Sequence, residues 1–292
     1  MKNITFILIL ALLLTAVCGC AAEADSPQVV ATTLPVYDFT ARLCENTNIS
    51  VGRLVTENVS CLHDYSLQVS QMRMIEQADL IVISGAGLED FLGAVLDGKA
   101  VIDSSAGVHI HELGGAHDHD HNSSHTHDWD PHIWLSAESA KEMAKNICSG
   151  LSEAYPVCAD IFSTNLETLL AELDALQAYG TESLSDLSCR ELITFHDGFG
   201  YFAECFDLTI PEAVEEESGS EASALEIIHL AELIQEHQLP AVFIERSGSD
   251  ACAGILSRET DVQVYTLDMA MAGNSYFEAM YHNIDTVKEA LG

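Results

Sequence analysis

The chain predicts an α/β protein of two Rossmann-like lobes, each built on a parallel sheet, joined by a long rigid spine helix with a cleft between the lobes. Three observations predict it. Short apolar runs of buried-strand length alternate with helix-length stretches through both halves, the pattern of parallel strands with crossover helices. A leucine stripe at helical spacing separates the halves. Histidines recur just beyond expected strand ends, where ligands of parallel sheets bind.

In the first half the strand-like runs are Val29–Thr33, Ser50–Val55, Leu80–Ser84 and Ala100–Asp103, with helices expected at about 35–46, 66–77 and 88–97. Ser84-Gly85-Ala86-Gly87-Leu88 has the look of a phosphate-cradling turn, but it lacks a third glycine and a lysine, so a strand-end turn is the better reading. From about Gly107 to Asp130 the chain is mostly His, Asp, Gly, Ser and Asn, a composition that cannot bury a core and predicts a mobile loop. Ser136 is placed to cap a helix running to about Leu151, with Glu138 in its first turn, where the helix dipole favours an anion. After Tyr155-Pro156 a second helix carries Ile161, Leu166, Leu169, Leu170, Leu173 and Leu176 on one stripe and extends toward Leu187. The second half repeats the scheme with strands at Glu191–Phe195, Ala241–Glu245 and Val262–Leu267, and helices at about 222–237, 249–259 and 275–290.

Ahead of the first strand, Lys2 and the uncharged run Ile4–Val17 form a secretory signal too short to span a bilayer well. The sequence divides into a signal peptide at 1–19, a polar tether at 20–28, an N-terminal lobe at 29–135, a linker at 136–188 holding the spine, and a C-terminal lobe at 189–292. With 46 acidic against 11 basic residues the formal charge is −35, which repels phosphate backbones and excludes nucleic acid as a partner. Most of that charge serves solubility. The cysteines beyond Cys20 number seven, an odd set with no Cys-x-x-Cys motif, and free buried thiols are expected.

His109, His111, His117, His119, His121, His125 and His127 crowd one stretch, directly before Asp130-Pro131-His132-Ile133-Trp134-Leu135. Neutral imidazole is the commonest ligand for zinc, copper, nickel and iron, so the cleft is expected to be a metal cleft. Outside that stretch, His63 and His196 stand where strands are expected to end, His132 precedes a helix, and Asp268 follows the strand closing at Leu267. Three imidazoles and one carboxylate suit tetrahedral zinc, whereas manganese prefers more oxygen. His229, His237 and His282 lie on helices and receive no metal role; Glu245, at a strand end beside the cleft, is read as structural.

The order of these motifs resembles the zinc- and manganese-binding lipoproteins that serve ABC importers, the metal-specific class of solute-binding proteins. The resemblance runs from about Val29 to Leu291 and rests on His63-Asp64-Tyr65, on Asp130 to Leu135, and on Phe195 to Tyr201. It implies that His63, His132 and His196 are metal ligands and that Asp268 holds the carboxylate position. Manganese-specific members usually carry Glu where this chain has His196, which points to the zinc-specific members. Cys61-Leu62 departs from the family pattern before His63, and a thiol there is a minor competing ligand. Val17-Cys18-Gly19-Cys20 resembles a lipobox, which makes Cys20 the lipidated residue and sets the protein on the outer face of the cytoplasmic membrane.

The expected function is extracytoplasmic capture of Zn(II) as a transported ligand and its delivery to an ABC importer, whose permease and ATPase are the partners. His117, His119, His121, His125 and His127 form either a low-affinity zinc collector, the reading favoured here, or a solvated linker. Because metal ligands must be deprotonated, affinity should fall as pH drops through the histidine range. The alternatives are a manganese or iron carrier of the same class, a zinc hydrolase and a surface adhesin. No His-Glu-x-x-His helix or Gly-x-Ser-x-Gly elbow supports an enzyme.

Overall fold

A computed structural model describes residues 26–57, 59, 62, 65–112, 129–214, 223–246 and 250–292. Residues 1–25 with Cys20, His63 with Cys61 and Asp64, and the histidines His117, His119, His121, His125 and His127 lie outside the described residues.

The N-terminal sheet is made of β1 (Val29–Ala31), β2 (Val51–Arg53), β3 (Leu80–Ile83) and β4 (Val101–Asp103), all parallel, in the order β2-β1-β3-β4. The crossovers carry α1 (Leu34–Leu43) and α2 (Val69–Gln77). The expected helix at 88–97 is instead a 3-10 segment, Asp90–Leu96, broken at Gly93, whose φ of 40° no α-helix accepts.

The linker holds α3 (Ala137–Ala154) and α4 (Ala159–Ser183). Ser136 caps α3 by accepting the Ser139 N–H, with Glu138 in the first turn. The spine helix α4 is 25 residues long and ends four residues short of Leu187. Gly180 does not break it, and its lack of a side chain has a packing reason. A Cβ there would stand 2.3 Å from the Phe206 ring and 3.1 Å from Ile284 Cδ1, so the glycine lets the spine lie close against the C-terminal lobe.

The C-terminal lobe repeats the first with β5 (Glu191–Thr194), α5 (Gly200–Cys205), β6 (Thr209–Ala213), α6 (Ala224–His237), β7 (Ala241–Glu245), α7 (Ala251–Thr260), β8 (Gln263–Leu267) and α8 (Tyr276–Leu291). Its parallel sheet has the order β6-β5-β7-β8, the same winding as the first. Sequence reading missed β6 because Pro211 and Glu212 interrupt it; an edge strand tolerates both.

One apolar core runs through β1, α1, α3, α4, α8 and the end of β8, so the lobes share packing as well as the spine. A polar clasp adds to it. Asp38 accepts the Tyr276 N–H at 2.9 Å, Arg53 donates to the Gly273 carbonyl at 2.8 Å, and Arg42 sits 4.6 Å above the Phe277 ring. The segment leading from β8 into α8 is thereby pinned to the N-terminal lobe. Among the described residues Cys44, Cys148, Cys158, Cys189 and Cys205 are free thiols, and burial beside Cys158 pushes the Cys44 thiol up to about 12, which makes it inert. No helix among the described residues is long and apolar enough to cross a membrane.

Candidate metal centre

The turn after β3 binds a carboxylate of its own. The Ser84 and Gly85 N–H groups donate to the two oxygens of Glu89 at 2.8 and 3.0 Å, and the Thr32 hydroxyl donates at 2.5 Å. These amides are therefore spent inside the lobe. Burial pushes the Glu89 carboxyl up to about 7 despite those donors, with Asp103 adding to the rise.

His132 follows the loop base. Glu112 and Trp129 form an antiparallel bridge across the 113–128 stretch, and the Asp130 N–H donates to the His111 carbonyl at 2.9 Å. The His111 ring stacks on Tyr201 with centroids 4.0 Å apart, its Nε2 2.7 Å from Glu204 Oε2. The residues flanking 113–128 are thus joined to each other directly before His132.

Asp130 then sets the ring. Its Oδ1 accepts the His132 backbone N–H at 2.9 Å, an Asx-type turn across Pro131, and lies 2.7 Å from His132 Nδ1. A carboxylate at Nδ1 fixes that nitrogen as the N–H and leaves Nε2 as the bare lone pair. Both residues are 3% exposed. Trp134, fully buried, donates Nε1–H to the Met269 carbonyl at 2.8 Å, and the Tyr276 hydroxyl donates to the Trp134 carbonyl at 2.7 Å.

His196 comes from the loop after β5. Its Nδ1 stands 3.4 Å from Oε1 of the buried Glu245, the last residue of β7, and its side chain is 21% exposed. His132 and His196 turn their Nε2 atoms toward each other at 3.3 Å, with rings nearly perpendicular. Gly198 leaves the room for this: a Cβ there would come within 2.9 Å of both imidazoles and of Met269.

That distance matches a shared metal ion as well as a hydrogen bond. Two nitrogens bound to one tetrahedral zinc at 2.0–2.1 Å are about 3.3–3.4 Å apart. Asp130 leaves the His132 Nε2 lone pair facing His196 Nε2, so a proton or a cation joins the two nitrogens. The pair fits a zinc ion.

Asp268 follows β8 and is buried. One carboxylate oxygen accepts the Ala270 N–H at 2.8 Å, the other lies 3.2 Å from Arg246 Nη1, and Asn283 bonds both its N–H and its carbonyl. Its carboxylate is engaged with protein partners, and among the described residues no three His, Cys, Asp or Glu side chains are grouped as a metal's ligands. Of the four residues singled out in sequence, the structure brings His132 and His196 together, engages Asp268 with Arg246, and does not describe His63. The remaining helical histidines have other neighbours: His237 Nδ1 lies 2.6 Å from Glu191, His282 Nε2 lies 3.2 Å from the Thr266 carbonyl, and His229 lies 4.0 Å from Glu212. Sequence reading missed the role of Asp130, although Asp two residues before a histidine is a readable Asx signal. It also missed Arg246, which carries no pattern of its own.

Comparison with known proteins gives a consistent set of likenesses. A family model described as zinc-uptake complex component A, periplasmic, matches residues 29–290. A metal-binding protein of Treponema pallidum is 28% identical over 78% of this chain and 76% of its own length. The zinc-binding lipoprotein AdcA of Streptococcus pneumoniae is 27% identical over 99% of this chain, which spans 61% of that longer protein. Among solved structures, the crystal structure of ZnuA superposes with a TM-score of 0.80 at 26% identity, covering 92% of this chain and all of that one. The periplasmic zinc-binding protein TroA of Treponema pallidum superposes with a TM-score of 0.76 at 25% identity, covering 91% and 99% of the two chains.

Proposed function

The chain belongs to the zinc-uptake complex component A family, and from that premise we propose that it captures Zn(II) outside the cytoplasm and delivers it to the permease and ATPase of an ABC importer. The observation that carries the reading is the 3.3 Å approach of His132 Nε2 and His196 Nε2, the separation that one tetrahedral zinc imposes. In this reading His63 supplies the third imidazole and Asp268 the carboxylate. Residues 1–19 are a leader, Cys20 carries a lipid anchor and 20–28 form its tether. The lobes are 29–135 and 189–292, joined by 136–188. The protein binds and hands over its ion and catalyses nothing.

His117, His119, His121, His125 and His127 act as a low-affinity collector. Support comes from the loop base, where the Glu112–Trp129 bridge and the Asp130 N–H lead directly into His132. Deleting 113–127 should leave one tight equivalent of zinc and remove the weaker ones; unchanged total loading would sink the collector.

The direct test is to strip the chain, reload it from a buffer of mixed divalent metals and count bound ions. One tight zinc is expected, lost in His196→Ala. Retention of tight one-to-one zinc by that variant would refute the site, and a preference for manganese would refute the selectivity.

A further inference from the structure

Two consecutive residues at the end of β7 stand behind the two C-terminal-lobe positions of the proposed site, and they carry opposite charge. Glu245 faces His196 Nδ1 at 3.4 Å, and Arg246 faces Asp268 Oδ2 at 3.2 Å. Their placement is set by the sheet: β7 pairs with β8 in parallel, Glu245 opposite Leu267, and the Arg246 N–H donates to the Leu267 carbonyl at 3.0 Å. Asp268 follows Leu267 directly, so the register of two strands puts arginine and aspartate side by side.

The two neighbours act in opposite directions on their partners as metal donors. A carboxylate behind an imidazole strengthens its outer nitrogen as a donor. A guanidinium on a carboxylate does the reverse, because it neutralises the charge and occupies the lone pairs that a metal would use. With the Ala270 N–H on Oδ1 and Arg246 on Oδ2, both Asp268 oxygens are engaged.

We propose that Arg246 is a specificity-determining residue: it competes with the metal for the Asp268 carboxylate, weakens it as the fourth ligand and so favours zinc over metals that depend on oxygen donors. The inference rests on the capture reading and deepens it. Zinc accepts an imidazole-dominated shell of four, so it loses little when the carboxylate is held by arginine. Manganese depends on carboxylate and other oxygen ligands and must first displace the guanidinium. Arg246 is 52% exposed, so it can swing into solvent when a cation does compete for Asp268, and its removal leaves no buried void. Glu245 works to the same end from the other side by favouring nitrogen donation from His196.

The experiment measures Zn(II) and Mn(II) dissociation constants by chelator competition for the metal-stripped chain and for Arg246→Ala, Asp268→Asn and the double variant. Arg246→Ala removes a positive charge and should tighten both metals, so the ratio of the two constants is the readout. That ratio should shift toward manganese about tenfold, a change of about 1.4 kcal/mol in relative affinity. In the Asp268→Asn background the arginine substitution should leave the ratio unchanged, because no carboxylate is there to release. An unchanged ratio in Arg246→Ala overturns the proposal. So does an equal shift with and without Asp268, which would mark a general charge effect. Failure of the unsubstituted chain to bind zinc tightly would overturn the capture reading, and this inference with it.

Discussion

The two histidine-bearing edges of the cleft are built to different tolerances. On the N-terminal side, one oxygen of Asp130 holds both the ring and the backbone of a buried His132, and Trp134 two residues later is locked to Met269 and Tyr276. On the C-terminal side, His196 is partly exposed, the carboxylate behind it stands 3.4 Å away, and Asp268 is held by an arginine that reaches into solvent. One edge presents a fixed lone pair before any ion arrives. The other is held by longer and more exposed contacts. Under the proposed function, discrimination between metals would belong to the looser edge and affinity to the fixed one.

The comparison breaks most easily at Trp134. Trp134→Ala should cost about 3–5 kcal/mol of stability, as large-to-small changes at fully buried aromatics do, and urea denaturation measures it. A loss below 1 kcal/mol would mean that the fixed edge is held by something else.

The same lobe carries a pH signature in Glu89. Folding raises its carboxyl from 4.5 to about 7, so the folded chain keeps a proton that the unfolded chain releases. The Glu89 contribution to stability is full below about pH 4.5, declines as pH rises toward about 7 and is flat above it, a change on the order of 3 kcal/mol. Glu89→Gln should remove this contribution to the slope, which denaturation midpoints across that window would reveal.

Asp130→Asn and Glu245→Gln sharpen the contrast between the edges. Loss of a carboxylate behind a ligating histidine typically costs about 10–100-fold in metal affinity. Asp130→Asn should fall in that range, and Glu245→Gln should cost less than about tenfold. Equal losses in a zinc competition titration would erase the distinction drawn here.

Much of this architecture was legible in the sequence, for a physical reason. Parallel strands covered on both faces read as unbroken apolar runs, and seven of the eight strands were found that way. The exception, β6, is an edge strand in which Pro211 removes a donor that no neighbour needs. The rule that ligands gather beyond strand ends singled out His196 and Asp268 and the Asp-Pro-His motif singled out His132, of which the structure brings the two histidines together. What stayed hidden was the layer behind them. The 3.3 Å approach of two imidazoles from residues 64 apart is a matter of tertiary packing. The Arg246–Asp268 pair depends on the register of β7 against β8, which no local pattern in either strand announces.

Zinc-edge X-ray absorption, on the chain lacking 113–127 and loaded with less than one equivalent of zinc, reads the ligands of the proposed centre. A shell dominated by imidazole nitrogen at about 2.0–2.1 Å is expected, with one imidazole fewer in His196→Ala. A shell unchanged by that substitution, or one dominated by sulfur, would contradict it.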